Sequence, residues 1–257
     1  MTDTYESFKT QFYQLTGIDL NAYKEGQMKR RIDSLIARNR IPGYTAFINV
    51  LKTDKAKYDE FLGYITINVS EFWRNADQWD ILENKILPEM KTDGGIRVWS
   101  AACSTGDEPY SLAMLLGDHF SLNRILISAT DIDKQVLSKA KSGIYSEKSI
   151  KGLPARFRNR YLTSIGDGAY EVSEEIRRCV TFREHDLLNP RYPVDFDMIV
   201  CRNVLIYFTD EAKDSVFKKF ARSLKPGGVL FLGSTEQILY PKDYGLTPIS
   251  SFFYKKL

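Results

Sequence analysis

Arg97-Val98-Trp99-Ser100-Ala101-Ala102-Cys103-Ser104-Thr105-Gly106-Asp107-Glu108-Pro109 runs from apolar residues through small ones and a glycine to an acidic pair and a proline. Val98, Trp99, Ala101 and Ala102 suit a buried strand, whereas Asp107 and Pro109 suit the cap and first turn of a helix. The stretch therefore predicts strand, tight loop, helix. In doubly wound α/β proteins such a crossover opens a cleft at the carboxyl end of a parallel strand, where nucleotide-like ligands bind. The loop lacks Gly-x-Gly-x-x-Gly and offers only Gly106 among Ala102, Ser104 and Thr105. That favours a ligand with a nucleoside but no phosphate; the alternative is a crossover that binds nothing.

Downstream, strands and helices alternate, as in a parallel sheet covered on both faces. Residues 125–129 read as a buried strand ending in Thr130-Asp131-Ile132-Asp133, with Asp131 25 positions after Gly106. An acid at the end of the second strand accepts hydrogen bonds from a ribose diol in dinucleotide folds; the other reading of Asp131 is a turn aspartate. Asp133 reads as the N-cap of the next helix. Between Tyr145 and Phe182 the alternation breaks down, and Asp167-Gly168 suggests a hairpin near residues 170–173. A small β-subdomain is expected there, inserted at about 155–182. The sheet resumes at residues 180–184 and ends at His185-Asp186-Leu187-Leu188-Asn189, the position of an adenine edge. A strand over 198–201 ends in Arg202-Asn203 and leads to Val204-Leu205-Ile206-Tyr207-Phe208, after which Thr209 caps a helix. Lys225-Pro226-Gly227-Gly228 turns the chain into a strand over 229–233, and the last strand is expected near 252–255.

Upstream, residues 1–67 carry helical spacing: Tyr5, Phe8 and Phe12; Met28, Ile32 and Leu35; Phe47, Ile48 and Leu51; Phe61, Leu62 and Ile65. Four short amphipathic helices are expected to form a bundle. On the second, residues 22–38, Lys24, Arg31 and Arg38 recur every seven positions with Arg30 nearby, and Lys24 to Arg40 holds six basic and two acidic side chains. This is either a solvated helix face or a docking face for an acidic partner. Asn68-Val69-Ser70-Glu71-Phe72-Trp73-Arg74 mixes polar and aromatic residues where the bundle meets the α/β region, and Asn75 reads as the cap of a helix carrying Trp79, Leu82 and Ile86. The plainer reading of this motif is a hinge whose Phe72 and Trp73 fill a core.

The 257 residues suffice for a large domain with a smaller companion, and 43% hydrophobic with 27% charged residues is a globular composition. No run reaches the roughly 18 apolar residues of a membrane span, and the first residues lack a signal-peptide pattern, so a cytoplasmic protein is expected. Three cysteines without Cys-x-x-Cys and two histidines argue against disulfide and metal chemistry. A net charge of +3 does not by itself imply nucleic acid.

With these motifs in place, the chain resembles, over essentially its whole length, the chemotaxis receptor methyltransferase family (CheR). The resemblance rests on the 68–74 motif, on residues 102–111, on Thr130-Asp131-Ile132-Asp133, on residues 201–208 and, more weakly, on Leu224-Lys225-Pro226-Gly227-Gly228. Ser70 and Trp73 stand where the family often has Thr and Phe; the hydroxyl and the aromatic plane are kept. The resemblance implies an N-terminal helical domain (1–67) that docks receptors. A class I S-adenosylmethionine-dependent methyltransferase domain follows (68–257), its Rossmann-like α/β sheet carrying the inserted β-subdomain. It implies S-adenosyl-L-methionine contacts from Asn68, Ser70, Arg74, Glu108, Asp131, Asp186, Leu187, Arg202 and Asn203, with S-adenosyl-L-homocysteine as product and no metal. Arg74 and Tyr207 are expected closest to the reaction; the plainer reading of Tyr207 is an aromatic packed under the following helix. Lys24, Arg30, Arg31 and Arg38 are expected to dock the substrate.

The implied activity is that of a protein-glutamate O-methyltransferase acting on the cytoplasmic helices of methyl-accepting chemoreceptors, expected to work as a monomer. A glutamate is already ionised near neutral pH and attacks a sulfonium methyl without a general base, so the enzyme must supply orientation and desolvation. Methylation of nucleic acid is disfavoured because Cys201-Arg202-Asn203-Val204 lacks the Pro-Pro-aromatic element of amino-base enzymes. The alternative is a non-catalytic S-adenosylmethionine-binding signalling adaptor that docks receptors.

Overall fold

A computed structural model of the chain describes residues 3–257. These residues form two compact units, one comprising the described residues up to Asn68 with Tyr207–Val216, the other Val69–Ile206 with Phe217–Leu257.

The first unit holds four helices, α1 (Tyr5–Thr16), α2 (Glu25–Arg38), α3 (Tyr44–Thr53) and α4 (Lys55–Ile65). Helix α1 starts where the Thr4 hydroxyl accepts from Ser7 N at 3.3 Å, and it stops at Gly17, whose positive φ lets its N–H reach the Tyr13 carbonyl. The apolar stripes meet in an aromatic core: Phe61 stands edge-on to Phe12 and Phe47 with centroids 5.1 and 5.2 Å away, while Phe8 stacks on Phe12 and Phe47.

The second unit is built on ten strands: β1 (Ile96–Ala101), β2 (Ile125–Asp131), β3 (Ile144–Ser146), β4 (Leu162–Gly166), β5 (Ala169–Val172), β6 (Val180–Glu184), β7 (Phe196–Cys201), β8 (Leu224–Leu232), β9 (Leu246–Ser250) and β10 (Phe253–Lys256). Seven form one sheet in the order β6-β2-β1-β7-β8-β10-β9. Its first five strands are parallel, and β10 runs antiparallel to both β8 and β9. Val98 of β1 lies opposite Ile127 on one side and Met198 on the other, and residues 98–101 are all buried, as expected of a central strand covered on both faces. Strand β9 is not anticipated by the sequence reading; its Pro248 lies at the sheet edge, where a missing N–H donor is tolerated.

The small sheet has the order β3-β5-β4 and spans residues 144–172, starting and ending earlier than the expected 155–182. Its first strand, three residues long, is too short to show alternation, and residues 180–184 belong to the large sheet.

Two helix starts differ from expectation. Gly106, with φ of +90°, takes the cap position before helix Asp107–Leu116, and a Cβ there would meet Ala140 Cβ and the Tyr145 hydroxyl at 2.8 Å. Asn75 precedes helix Ala76–Ile81 in a left-handed conformation without capping it; its side-chain oxygen accepts from Arg202 instead.

Candidate functional site

The loop leaving β1 is tight because Ala102, Ser104 and Gly106 all have positive φ. It is fastened to the end of β2: Cys103 N donates to the Thr130 carbonyl at 2.9 Å, and Ser104 N donates to Asp131 Oδ2 at 2.8 Å. Asp131 Oδ1 accepts from Asp133 N at 3.0 Å, so the buried carboxylate serves the turn that sequence reading allowed for. Burial pushes the Asp131 carboxyl above the usual carboxylate range, and the N–H donors oppose this.

A narrow cleft opens beside this loop, lined by residues 69–71 and Arg74, by residues 102–104 and Glu108, and by Arg202 and Asn203. It gathers Ser70, Arg74, Glu108, Arg202 and Asn203 of the expected contacts, and Asp131 stands one hydrogen bond behind, through Ser104. Asp186 and Leu187 follow β6 outside this lining. Leu187 is buried with its carbonyl taken by the Tyr192 hydroxyl and Lys219, while Asp186 accepts from Leu188 N. Asn68 and Tyr207 fall in the other unit, where the Tyr207 carbonyl accepts from Lys24 N at 2.8 Å.

Arg202 is buried, with its side chain 2% exposed. Its guanidinium donates to the Arg74 carbonyl at 2.5 Å and to Gln78 Oε1 at 2.9 Å, and lies 3.4 Å from Glu108 Oε2. The rings of Trp79 and Phe231 lie 5.6 and 4.9 Å from it. Arg202 thus holds the groups around the cleft. Glu108 also accepts from the Ser100 hydroxyl at 2.8 Å; burial pushes its carboxyl upward, and Arg202 pulls the other way.

Two residues escape the sequence reading. Gln78 is buried beside Trp79, a polar residue on an inward helix face. Glu236, also buried, accepts from Asn203 N, Val204 N, Leu205 N and Gly233 N at 2.6 to 3.0 Å. An acid three residues beyond Gly233, just past a parallel strand, is the signal that marks it.

On the first unit, the basic residues divide. Arg31 donates to the Tyr64 carbonyl and lies over that ring, and Arg38 pairs with Glu60 at 2.6 Å. Lys24 and Arg30 are exposed.

The cleft carries groups that match a polar, cationic ligand. Glu108 offers a desolvated carboxylate, and the Ser104 hydroxyl is buried without a partner among the described residues. Sulfonium and ammonium groups match the former and a polar ligand atom the latter. The parallel sheet, its crossover loop and this cleft define a class I S-adenosylmethionine-dependent methyltransferase. The chain belongs to the CheR methyltransferase family: the all-alpha domain of that family matches residues 3–66 and its SAM binding domain residues 68–251. It is 47% identical over 242 residues to a chemotaxis protein methyltransferase of Listeria monocytogenes, covering 93% of this chain and 92% of the relative. The Escherichia coli chemotaxis protein methyltransferase is 36% identical over 236 residues, covering 87% and 80% respectively.

Proposed function

We propose that the chain transfers methyl from S-adenosylmethionine to glutamate side chains on chemoreceptor cytoplasmic helices, forming methyl esters. The observation that carries this reading is the pairing, in one cleft, of a half-exposed arginine with a desolvated acid. Arg74 spends one N–H on the Val69 carbonyl at 3.0 Å and has further donors to orient a substrate carboxylate. Glu108 suits the cationic end of the cofactor, Asp131 the ribose diol, and Ser70 and Asn203 the remaining polar atoms; Asp186 and Leu187 complete the proposed contacts of this unit. The cofactor supplies an electrophilic methyl group. Bound there, it would pass that methyl to a substrate carboxylate oriented by Arg74 and keep the carbon–sulfur electron pair on its sulfur. No proton moves, so the residue proposed nearest the reaction, Arg74, orients and desolvates.

The names of the relatives support a chemoreceptor substrate. In the proposed encounter, exposed Lys24 and Arg30 meet the acidic receptor helices, while Arg31 and Arg38 add charge from positions already held against α4. The protein acts as a cytoplasmic monomer in this reading. The test is transfer of labelled methyl to receptor cytoplasmic fragments followed by mild base. Release of volatile label identifies an ester. Base-stable label overturns the glutamate assignment, and cofactor binding without turnover supports the adaptor alternative.

A further inference from the structure

We infer that Glu236 is a positioning residue for methyl transfer: its buried carboxylate holds the strand-end loop that presents Asn203 to the cofactor cleft. The inference rests on the proposed reading of that cleft as the cofactor seat.

Three successive N–H groups, those of Asn203, Val204 and Leu205, point at one carboxylate, at 2.6, 2.8 and 2.6 Å. Gly233 N, at the end of the neighbouring strand β8, adds a fourth donor at 3.0 Å. Asn203 has a φ of +61°, a left-handed conformation that asparagine enters more readily than other non-glycine residues and that its surroundings here enforce. The carboxylate supplies that enforcement, because charge-assisted bonds to backbone N–H groups are stronger than neutral ones. Gly233 makes room for it: a Cβ there would stand 2.4 Å from Glu236 Oε2 and 2.8 Å from Asn203 N. The bonds thus run from Glu236 to the backbone of a residue lining the cleft, next in sequence to Arg202, which holds Arg74 and Glu108.

The test compares three variants of the full chain with the parent. Glu236→Gln replaces one acceptor oxygen with a donor facing backbone N–H groups. Gly233→Ala keeps the carboxylate but crowds both it and Asn203 N, closing the space in which they meet. Leu246→Ala opens a cavity at the buried start of edge strand β9 and serves as a control for lost stability alone. Calorimetry with S-adenosylmethionine should show affinity reduced about tenfold in Glu236→Gln and in Gly233→Ala, the loss of one charge-assisted bond. Leu246→Ala should stay within about twofold of the parent despite a comparable fall in melting temperature. Affinity and kcat within about twofold of the parent in both clamp variants, or a loss matched by Leu246→Ala, would overturn the inference. Where the clamp variants do not fold, hydrogen exchange in the parent decides: bound S-adenosylmethionine should slow the amides of residues 203–205, and unchanged exchange there refutes the role. All these readouts except kcat use the cofactor alone. A failure to methylate receptor therefore strikes the glutamate substrate and leaves this inference standing.

Discussion

The Arg202 guanidinium donates to the main-chain carbonyl of Arg74 at 2.5 Å, joining residues 128 positions apart. A buried cation thereby fixes the backbone of the residue proposed to orient substrate, while its other nitrogen faces Glu108. Removing it leaves the buried Glu108 without its cationic partner and the oxygens of Arg74, Asn75 and Gln78 without this donor. Arg202→Ala should therefore cost about 3–5 kcal/mol of stability by urea unfolding. A loss below about 1 kcal/mol would mean that water replaces the guanidinium without penalty.

Asp131→Ala removes the acceptor for Ser104 N and Asp133 N as well as the proposed ribose contact. Cofactor affinity should fall by about 1–3 kcal/mol, read by calorimetry. Unchanged affinity would leave Asp131 as a turn residue only.

Burial raises the Glu108 carboxyl above its ordinary value, so in the free protein the protonated form persists to higher pH than in an unfolded chain. For stability, this group's contribution is fully present below the unfolded pKa and is lost as pH rises through the folded one. Binding has the opposite sign, because a cationic cofactor favours the ionised acid. S-adenosylmethionine affinity should rise with pH from the usual glutamate range upward, and more steeply than that of S-adenosylhomocysteine, which lacks the sulfonium charge. Glu108→Gln should flatten both profiles; an unaltered slope in that variant would show that another group titrates.

Arg74 is half-exposed, and its side chain makes a single described hydrogen bond, to Val69 O. Arg74→Ala should leave the melting temperature nearly unchanged while lowering kcat by about 100-fold, the scale of losing an orienting contact. Near-parental transfer rates would reduce Arg74 to a lining residue.

Charge reversal at Lys24 and Arg30 should slow receptor methylation about tenfold at low salt. The difference should shrink as ionic strength rises, with cofactor affinity constant. The same change at Arg31 and Arg38 should also loosen the bundle, since both guanidinium groups lie over the Tyr64 ring. Equal rates at low salt for Lys24→Glu, Arg30→Glu would make this a solvated face.

The parallel core was legible because its strands are apolar runs punctuated by turn residues, as at Val98 to Gly106. Arg202 was legible as a site residue but not in its direction: its partners Arg74 and Gln78 lie 128 and 124 positions away, and no local pattern encodes that approach. Glu236 offered only its place past a parallel strand, since its partners are backbone N–H groups, which carry no residue identity. The three-residue strand β3 is too short for alternation to show, and strand β9 holds Pro248, which only an edge position admits.

The bonds from Arg202 to Arg74 and Glu108, and from the Asn203 backbone to Glu236, connect segments that meet only once the crossovers of the parallel sheet have closed. Such non-local pairings form slowly, and partly folded chains cannot offer the completed cleft. The cofactor is therefore a selective ligand of the finished fold: at 100 times its dissociation constant it would shift the folding equilibrium by about 2.7 kcal/mol. Cellular supply of the methyl donor thus bears on how much of this protein survives proteolysis as well as on how fast it turns over.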